Sequence, residues 1–127
     1  MKKDRTPTLK GLKTKCELLW KEFCHKRDKV CRMCRGDWRL QCHHPFSRRD
    51  KNTFYDPDNS MLLCGRCHFK VSKTMSQQDY CDLMKSMLGE PLYNELNEKR
   101  RKEKQWDIQG IEHQINYLTL KIKELGS

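Results

Sequence analysis

Three imidazoles and one side-chain amide are the residues of this chain most suited to chemistry. His43 and His44 are adjacent in QCHHPFSRR (41–49), Asn59 comes 15 residues after His44, and His68 directly follows Cys67. An imidazole with no metal on it can take a proton from water near neutral pH. Imidazoles that ligate a metal can hold a divalent ion against a phosphate. An asparagine offers both donor and acceptor, so it can fix a neighbouring loop or ring. Together these types suit hydrolysis of a phosphoester, provided that something holds His44 and His68 at a fixed separation although they are 24 residues apart.

The cysteines offer that frame. There are eight, at 16, 24, 31, 34, 42, 64, 67 and 81, and four of them form the pairs Cys31-Arg-Met-Cys34 and Cys64-Gly-Arg-Cys67. In a chain with no evident secretion signal, paired CxxC units favour zinc over disulfides, with a redox CxxC as the alternative. Zinc accepts four thiolates tetrahedrally, and a two-residue spacer lets both sulfurs of a pair reach one ion. The 29 residues between the pairs contain the histidine pair and Asn59. Cys16, Cys24, Cys42 and Cys81 follow no ligand spacing and read as small apolar residues.

The order is therefore CxxC, a strand ending in HH, a basic loop, Asn, a short strand and CxxCH. It resembles the HNH nucleases, the ββα-metal class, over about residues 31–73, and DPDNSMLLCGRCHFKVSK is similar to that family's signature. The resemblance implies an α+β fold with a zinc-stabilised, treble-clef-like ββα-metal core flanked by helices. It implies His44 as general base, Asn59 as the residue that positions it, and His43 and His68 as ligands of a catalytic divalent ion. Cys31, Cys34, Cys64 and Cys67 would hold the structural Zn²⁺. Mg²⁺ or Mn²⁺ is the catalytic ion expected in use, with Ni²⁺, Co²⁺ and Zn²⁺ compatible with imidazole ligands. A wider resemblance, over roughly residues 18–125, is to the phage recombination nucleases of the Rap/NinG kind. It is carried by FCHKRDKVC before the first pair, MLGEPLYNELNEK after the core, and a last helix that opens at Trp106 and ends KIKEL. That resemblance implies action on branched DNA such as Holliday junctions and D-loops, in the host cytoplasm. The alternatives are a phage nicking, packaging or homing-type endonuclease, and a zinc-knuckle DNA-binding protein without chemistry.

The elements that must position these residues are legible in part. The formal charge is +10, and only 35% of the 127 residues are hydrophobic, so a metal staple is expected. Residues 1–30 carry 10 Lys/Arg against 4 Asp/Glu, residues 31–75 carry 9 against 4, and residues 76–127 carry 8 against 9. The excess surrounds the histidines, which points to a polyanion, with DNA the leading candidate. Arg48, Arg49, Lys51, Lys70 and Lys73 are the expected phosphate contacts. No stretch approaches the ~20 apolar residues of a membrane span, so a cytoplasmic protein is expected.

Steps of three and four through Leu9, Leu12, Cys16, Leu19, Trp20, Phe23 and Cys24 predict a basic amphipathic helix in an N-terminal segment, 1–30. The nuclease core, 31–75, follows. A strand is predicted over Trp38–His43 with Trp38, Leu40 and Cys42 on one face; a loop over 45–58; a return strand near 59–63; and a short helix from Gly65. A helical extension, 76–105, opens at a Ser76 cap and ends in the charged run EKRRKEK (98–104), expected to be solvated. In the last segment, 106–125, Ile108, Ile111, Ile115, Leu118, Ile122 and Leu125 form a heptad seam. It would serve a homodimer or pack back on its own domain.

Overall fold

The computed structural model describes residues 7–126. Residues 1–6, with the Lys2, Lys3 and Arg5 of the expected basic N-terminal segment, and residue 127 lie outside the described residues. The architecture is mixed and helix-dominated, with one small two-stranded sheet.

Helix α1, Leu9–Asp28, begins where the Thr8 hydroxyl accepts from the Gly11 amide at 3.0 Å. Its buried face is Cys16, Trp20, Phe23 and Cys24, spaced as a single helical stripe. It ends at Lys29, whose φ of 66° turns the chain toward the first CxxC. Strand β1, Gln41–His43, pairs antiparallel with β2, Met61–Leu63, placing His43 opposite Met61. Between them lies a four-residue helix, α2, Lys51–Phe54. Helix α3, Gly65–Phe69, starts at Cys64 and continues as a wider π-turn over Lys70–Thr74. Helix α4, Gln77–Leu88, opens on a Ser76 hydroxyl that accepts from the Asp79 amide at 3.1 Å. Gly89, at φ 88°, separates it from α5, Glu90–Arg100, which has Pro91 in its first turn. Helix α6, Ile108–Glu124, is capped by Asp107.

The core has two parts. Cys31, Met61, Leu63, Cys64, Cys67, Val71 and Met84 form one, under the cysteine pairs. Cys16, Trp20, Tyr55, Ile111, Ile115 and Leu118 form the other, where α6 lies along α1. Asp28, at the end of α1, ties the parts together. Its carboxylate accepts from the Leu62 amide at 3.0 Å and from Arg27, whose guanidinium also donates to the Pro57 and Ser60 carbonyls.

Two expectations change, and a third that had two open outcomes is narrowed. The first strand is limited to Gln41–His43, because Arg35 and Arg39 take φ of 66° and 51° and bend the chain before it. Trp38 is consequently 68% exposed and carries the Arg39 guanidinium 4.5 Å over its ring instead of facing the core. The 45–58 stretch is not simply a loop: it contains α2 and buries Phe46, Thr53 and Tyr55. The heptad seam is occupied within the chain, because Ile111, Ile115, Leu118 and Ile122 are buried; only its ends, Ile108 and Leu125, are exposed. No helix among the described residues is long and apolar enough to cross a membrane.

Because Leu118 is fully buried between α6 and α1, Leu118→Ala should cost roughly 2–5 kcal/mol. Chemical denaturation followed at several protein concentrations should give one midpoint, lowered in the variant but independent of concentration. A midpoint that rises with concentration would reassign the seam to a second copy.

Candidate functional site

The four cysteines of the two pairs meet. Their sulfurs all lie within 4.8 Å of one another, and the Cys34 and Cys64 sulfurs are 3.6 Å apart. Four sulfurs at ~2.3 Å from a tetrahedral zinc stand roughly 3.8 Å apart, so the cluster fits that ion. The local backbone is arranged for negative sulfur. Amides of Cys34, Gly36 and Cys67 point at the sulfurs of Cys31, Cys34 and Cys64 at 3.4–3.5 Å. Gly36 leaves room for this, since a Cβ there would lie 3.3 Å from the Cys34 sulfur. Burial acts to raise the Cys31 thiol, but the neighbouring amides outweigh it and bring the group down to about 6. The Cys67 amide lowers Cys64, while burial and the adjacent thiols push Cys67 up to about 12. Low and high thiols side by side are what adjacent groups show when they must share negative charge; a bound cation would let all four ionise. The cluster can hold a structural metal such as zinc, and among the described residues it is the only group of three or more ligand-type side chains close enough to do so.

Next to this frame the histidines divide. His43 turns toward α3 and α4. Its ring lies 5.4 Å from that of His68, edge-on at 74°, and its Nε2 is 2.7 Å from the Tyr80 hydroxyl. Tyr80 spends its one proton on the Pro45 carbonyl, also at 2.7 Å. The hydroxyl therefore accepts from His43, which fixes the Nε2–H tautomer and leaves Nδ1 with the lone pair. With a metal–nitrogen bond of about 2.1 Å, each ring centre stands roughly 3.2 Å from a shared ion, so a centre-to-centre distance of 5.4 Å suits two imidazoles on one cation.

His44 turns the other way and is only 7% exposed. It stacks on Trp20 with ring centres 3.8 Å apart and planes at 9°, and its Nε2 lies 3.0 Å from the Phe54 carbonyl. A carbonyl can only accept, so Nε2 carries the proton and Nδ1 is the basic atom. Trp20 is fixed in turn by its indole N–H on the Asp56 carbonyl at 2.9 Å. Asn59, fully buried, closes the bracket. Its oxygen accepts from the Phe46 amide at 2.8 Å, and its nitrogen donates to the Thr53 and Phe46 carbonyls. Asn59 thus clasps the chain before α2, two residues past His44, to the last turn of α2, one residue before Phe54.

Burial lowers His43 to about 4, helped by the positive charge that would accumulate with His68 and His44. Burial also lowers His44 to about 4, against the Phe54 carbonyl and with Arg48 and Lys21. His68 is lowered by burial and Lys73. All three rings are therefore neutral at pH 7, as a ligand or a base requires.

A groove of about 570 Å³ opens on all three rings, with Lys21, His25 and Arg48 on its wall. Its lining has no carboxylate. A second cavity, about 450 Å³, shares His43, His44 and Ser72 with it and runs along Tyr80 to Arg100. Of the expected phosphate contacts, Arg48 reaches the groove, pairing with Glu17 at 3.0 Å and lying over the Phe54 ring. Arg49 and Lys51 do not line it; they stand at the start of α2, facing the segment after α5. Lys70 and Lys73 are exposed on the π-turn, which turns Val71 inward instead, and they do not line the groove either.

Several groups in the site were not picked out in the sequence. Tyr80 has an aromatic body that fits a helix face, Trp20 belongs to the apolar stripe of α1, and Lys21 and His25 sit on a helix outside the metal-spaced region. Only the exposed, cationic face of α1 hinted at the last two. No protein-family model, no curated protein and no solved structure matches the chain.

Two outcomes follow from the geometry. Native mass spectrometry should find one zinc per chain, and Cys31→Ser should lose it together with most of the cooperative unfolding transition, since structural zinc is worth on the order of 10 kcal/mol to a small domain. The depressed His44 makes stability depend on acid. The unfolded ring takes a proton near 6.5 and the folded ring only near 4, so its contribution is complete above about 6.5 and lost as pH falls toward 4. Between pH 7 and 5 the melting temperature of the wild type should fall more steeply than that of His44→Gln; equal slopes would show that the ring is not held neutral.

Proposed function

We propose that the chain is a metal-dependent DNA endonuclease of the HNH, or ββα-metal, class, and that it acts on branched recombination intermediates such as Holliday junctions or D-loops. The observation that carries the reading is the division of the histidine pair. One ring faces a second imidazole with its Nδ1 available, and the next is stacked, buried and anchored through Nε2 with its own Nδ1 available. Both rings keep Nδ1 free, but the neighbour differs: a second imidazole beside His43 suits a ligand, and an indole face beneath His44 suits a base.

In this mechanism Nδ1 of His44 takes a proton from a water that attacks phosphorus in line. The new P–O bond forms as the bond to the 3′-oxygen breaks, leaving 5′-phosphate and 3′-hydroxyl ends. As the imidazolium forms, its Nε2–H tightens on the Phe54 carbonyl, and the Trp20 face keeps the ring from turning. Asn59 positions that carbonyl through Thr53. His43 and His68 would hold a divalent ion, which when bound supplies Lewis acidity and steadies the charge on the leaving oxygen. Mg²⁺ or Mn²⁺ is the ion we assign to this role. Tyr80 keeps the ligand nitrogen of His43 unprotonated by accepting a hydrogen bond from the N–H of the other nitrogen. Arg48 and Lys21 stand where a phosphate backbone would enter the groove.

Nicking of supercoiled plasmid with Mg²⁺ or Mn²⁺, and none with EDTA, is the expected result. His44→Ala should lower the rate by ~10²–10⁴ while leaving DNA affinity within about twofold. Binding without cleavage in either metal would support instead a zinc-knuckle DNA-binding protein. Rates on a linear duplex, a flap, a three-way and a four-way junction test the branched substrate; equal rates on all would leave a nicking, packaging or homing-type nuclease.

A further inference from the structure

The charged run EKRRKEK (98–104), which ends α5 and continues past it, is largely exposed as expected but is also tethered. Asn52 donates to the Lys99 carbonyl at 2.9 Å, Lys99 pairs with Asp56 at 2.6 Å, and Arg100 pairs with Asp50 at 3.8 Å. The Trp106 indole then donates to the Lys51 carbonyl at 2.9 Å. Every partner belongs to residues 50–56, the stretch that presents the Phe54 carbonyl to His44. The run is therefore held in a fixed position relative to the histidines.

This anchoring gathers cations. Arg49, Lys51, Arg101, Lys102 and Lys104 are all exposed and line one open depression of about 380 Å³. None of the five has an acidic partner among the described residues. Of the two carboxylates in the lining, Asp50 is taken by Arg100, which leaves only Glu103. Like charges so close repel unless a polyanion pairs them. Asp50 and Arg100 also line the cavity that contains His43 and His44, so the depression opens off the same wall.

We propose that Arg49, Lys51, Arg101, Lys102 and Lys104 form a second phosphate-binding surface that grips a duplex arm of the DNA whose backbone enters the histidine groove. It contacts phosphates and not base edges, since its unpaired groups are mostly long cationic side chains on an exposed surface, with Glu103 and Gln105 between them. The identity of the groove's occupant rests on the nuclease reading; the surface itself is tested without cleavage.

The test is fluorescence anisotropy with a labelled 30-base-pair duplex, in buffer without added divalent ions, across a range of salt. Each phosphate contact contributes about 0.9 to the slope of log affinity against log salt. The triple variant Arg101→Ala, Lys102→Ala, Lys104→Ala should flatten that slope by roughly 2–3 and weaken binding at least tenfold at ~0.1 M salt. A control triple, Lys85→Ala, Lys121→Ala, Lys123→Ala, removes the same charge elsewhere and should leave the slope nearly unchanged. Equal losses in the two triples would reduce the effect to net charge and overturn the surface. So would an unchanged slope in the first triple, or binding of anionic vesicles that the first triple abolishes while duplex binding survives. A wild type that binds DNA but never nicks it would remove the nuclease reading, and the two slopes would still decide the surface.

Discussion

Five successive peptide carbonyls, Thr53 to Pro57, are the points on which this site hangs. They lie at the end of α2 and in the turn that follows it, and each accepts a hydrogen bond from a side chain. Asn59 takes Thr53, His44 takes Phe54, Gln114 takes Tyr55, Trp20 takes Asp56 and Arg27 takes Pro57. A buried carbonyl without a partner costs about 1–3 kcal/mol. Thr53, Asp56 and Pro57 also accept from the Asp56 amide, the Asn59 amide and the Ser60 hydroxyl, so the carbonyls that depend on one side chain alone are Phe54, on His44, and Tyr55, on Gln114 of α6. No buried side-chain nitrogen or oxygen among the described residues lacks a partner. The position of the His44 ring follows from this closed set: its anchor is one of the five, and Trp20, on which it stacks, holds another.

The second constraint is the strand. Successive side chains leave a strand on opposite faces, so His43, which ends β1, and His44, just beyond it, rest on different elements although both border one groove. His43 goes to the side of the cysteine cluster, α3 and α4, and His44 goes to the side of α1 and α2. Each side finishes its ring by occupying Nε2, with the Tyr80 hydroxyl on one and the Phe54 carbonyl on the other. The same tautomer thus results from two unrelated partners, and in both rings Nδ1 is the nitrogen left for chemistry. The pairing of β1 with β2 fixes the register, and β2 leads directly into Cys64, so the cysteine cluster and the histidine pair cannot move independently.

Features set by short-range rules were legible in the sequence. The CxxC spacing brought four sulfurs together, the three-four rhythm of α1 matched its buried stripe, and Ser76 caps α4 as its side chain suggests. Features set by long-range packing were not. Trp38 is apolar enough for a strand, but two residues at positive φ remove it from the sheet. The seam of α6 has the period of a dimer interface, and period alone does not name the partner; α1 supplies a matching stripe in the same chain. The Phe54 carbonyl could not be foreseen, because a backbone oxygen has no residue type. Tyr80 offered no distinguishing signal either, since its aromatic body satisfies the helix pattern while its hydroxyl acts 37 residues away on His43.

Charge was the property most obscured by averaging along the chain. Residues 76–127 balance to nearly nothing, with 8 Lys/Arg against 9 Asp/Glu, yet five of those cations occupy positions 99 to 104. The fold then splits that run by function. Lys99 and Arg100 are spent on Asp56 and Asp50, where they hold the turn beneath His44. Arg101, Lys102 and Lys104, the last with its ammonium 4.6 Å over the Trp106 ring, have no carboxylate partner among the described residues and join Arg49 and Lys51, which belong to the cationic half of the chain. Since the two paired cations fix where the unpaired ones stand, one short stretch both braces the turn that anchors His44 and extends the positive surface outward from it. The acidic residues that cancel it in the count, such as Asp79, Asp82 and Glu90, lie on α4 and at the start of α5 and do not line that surface.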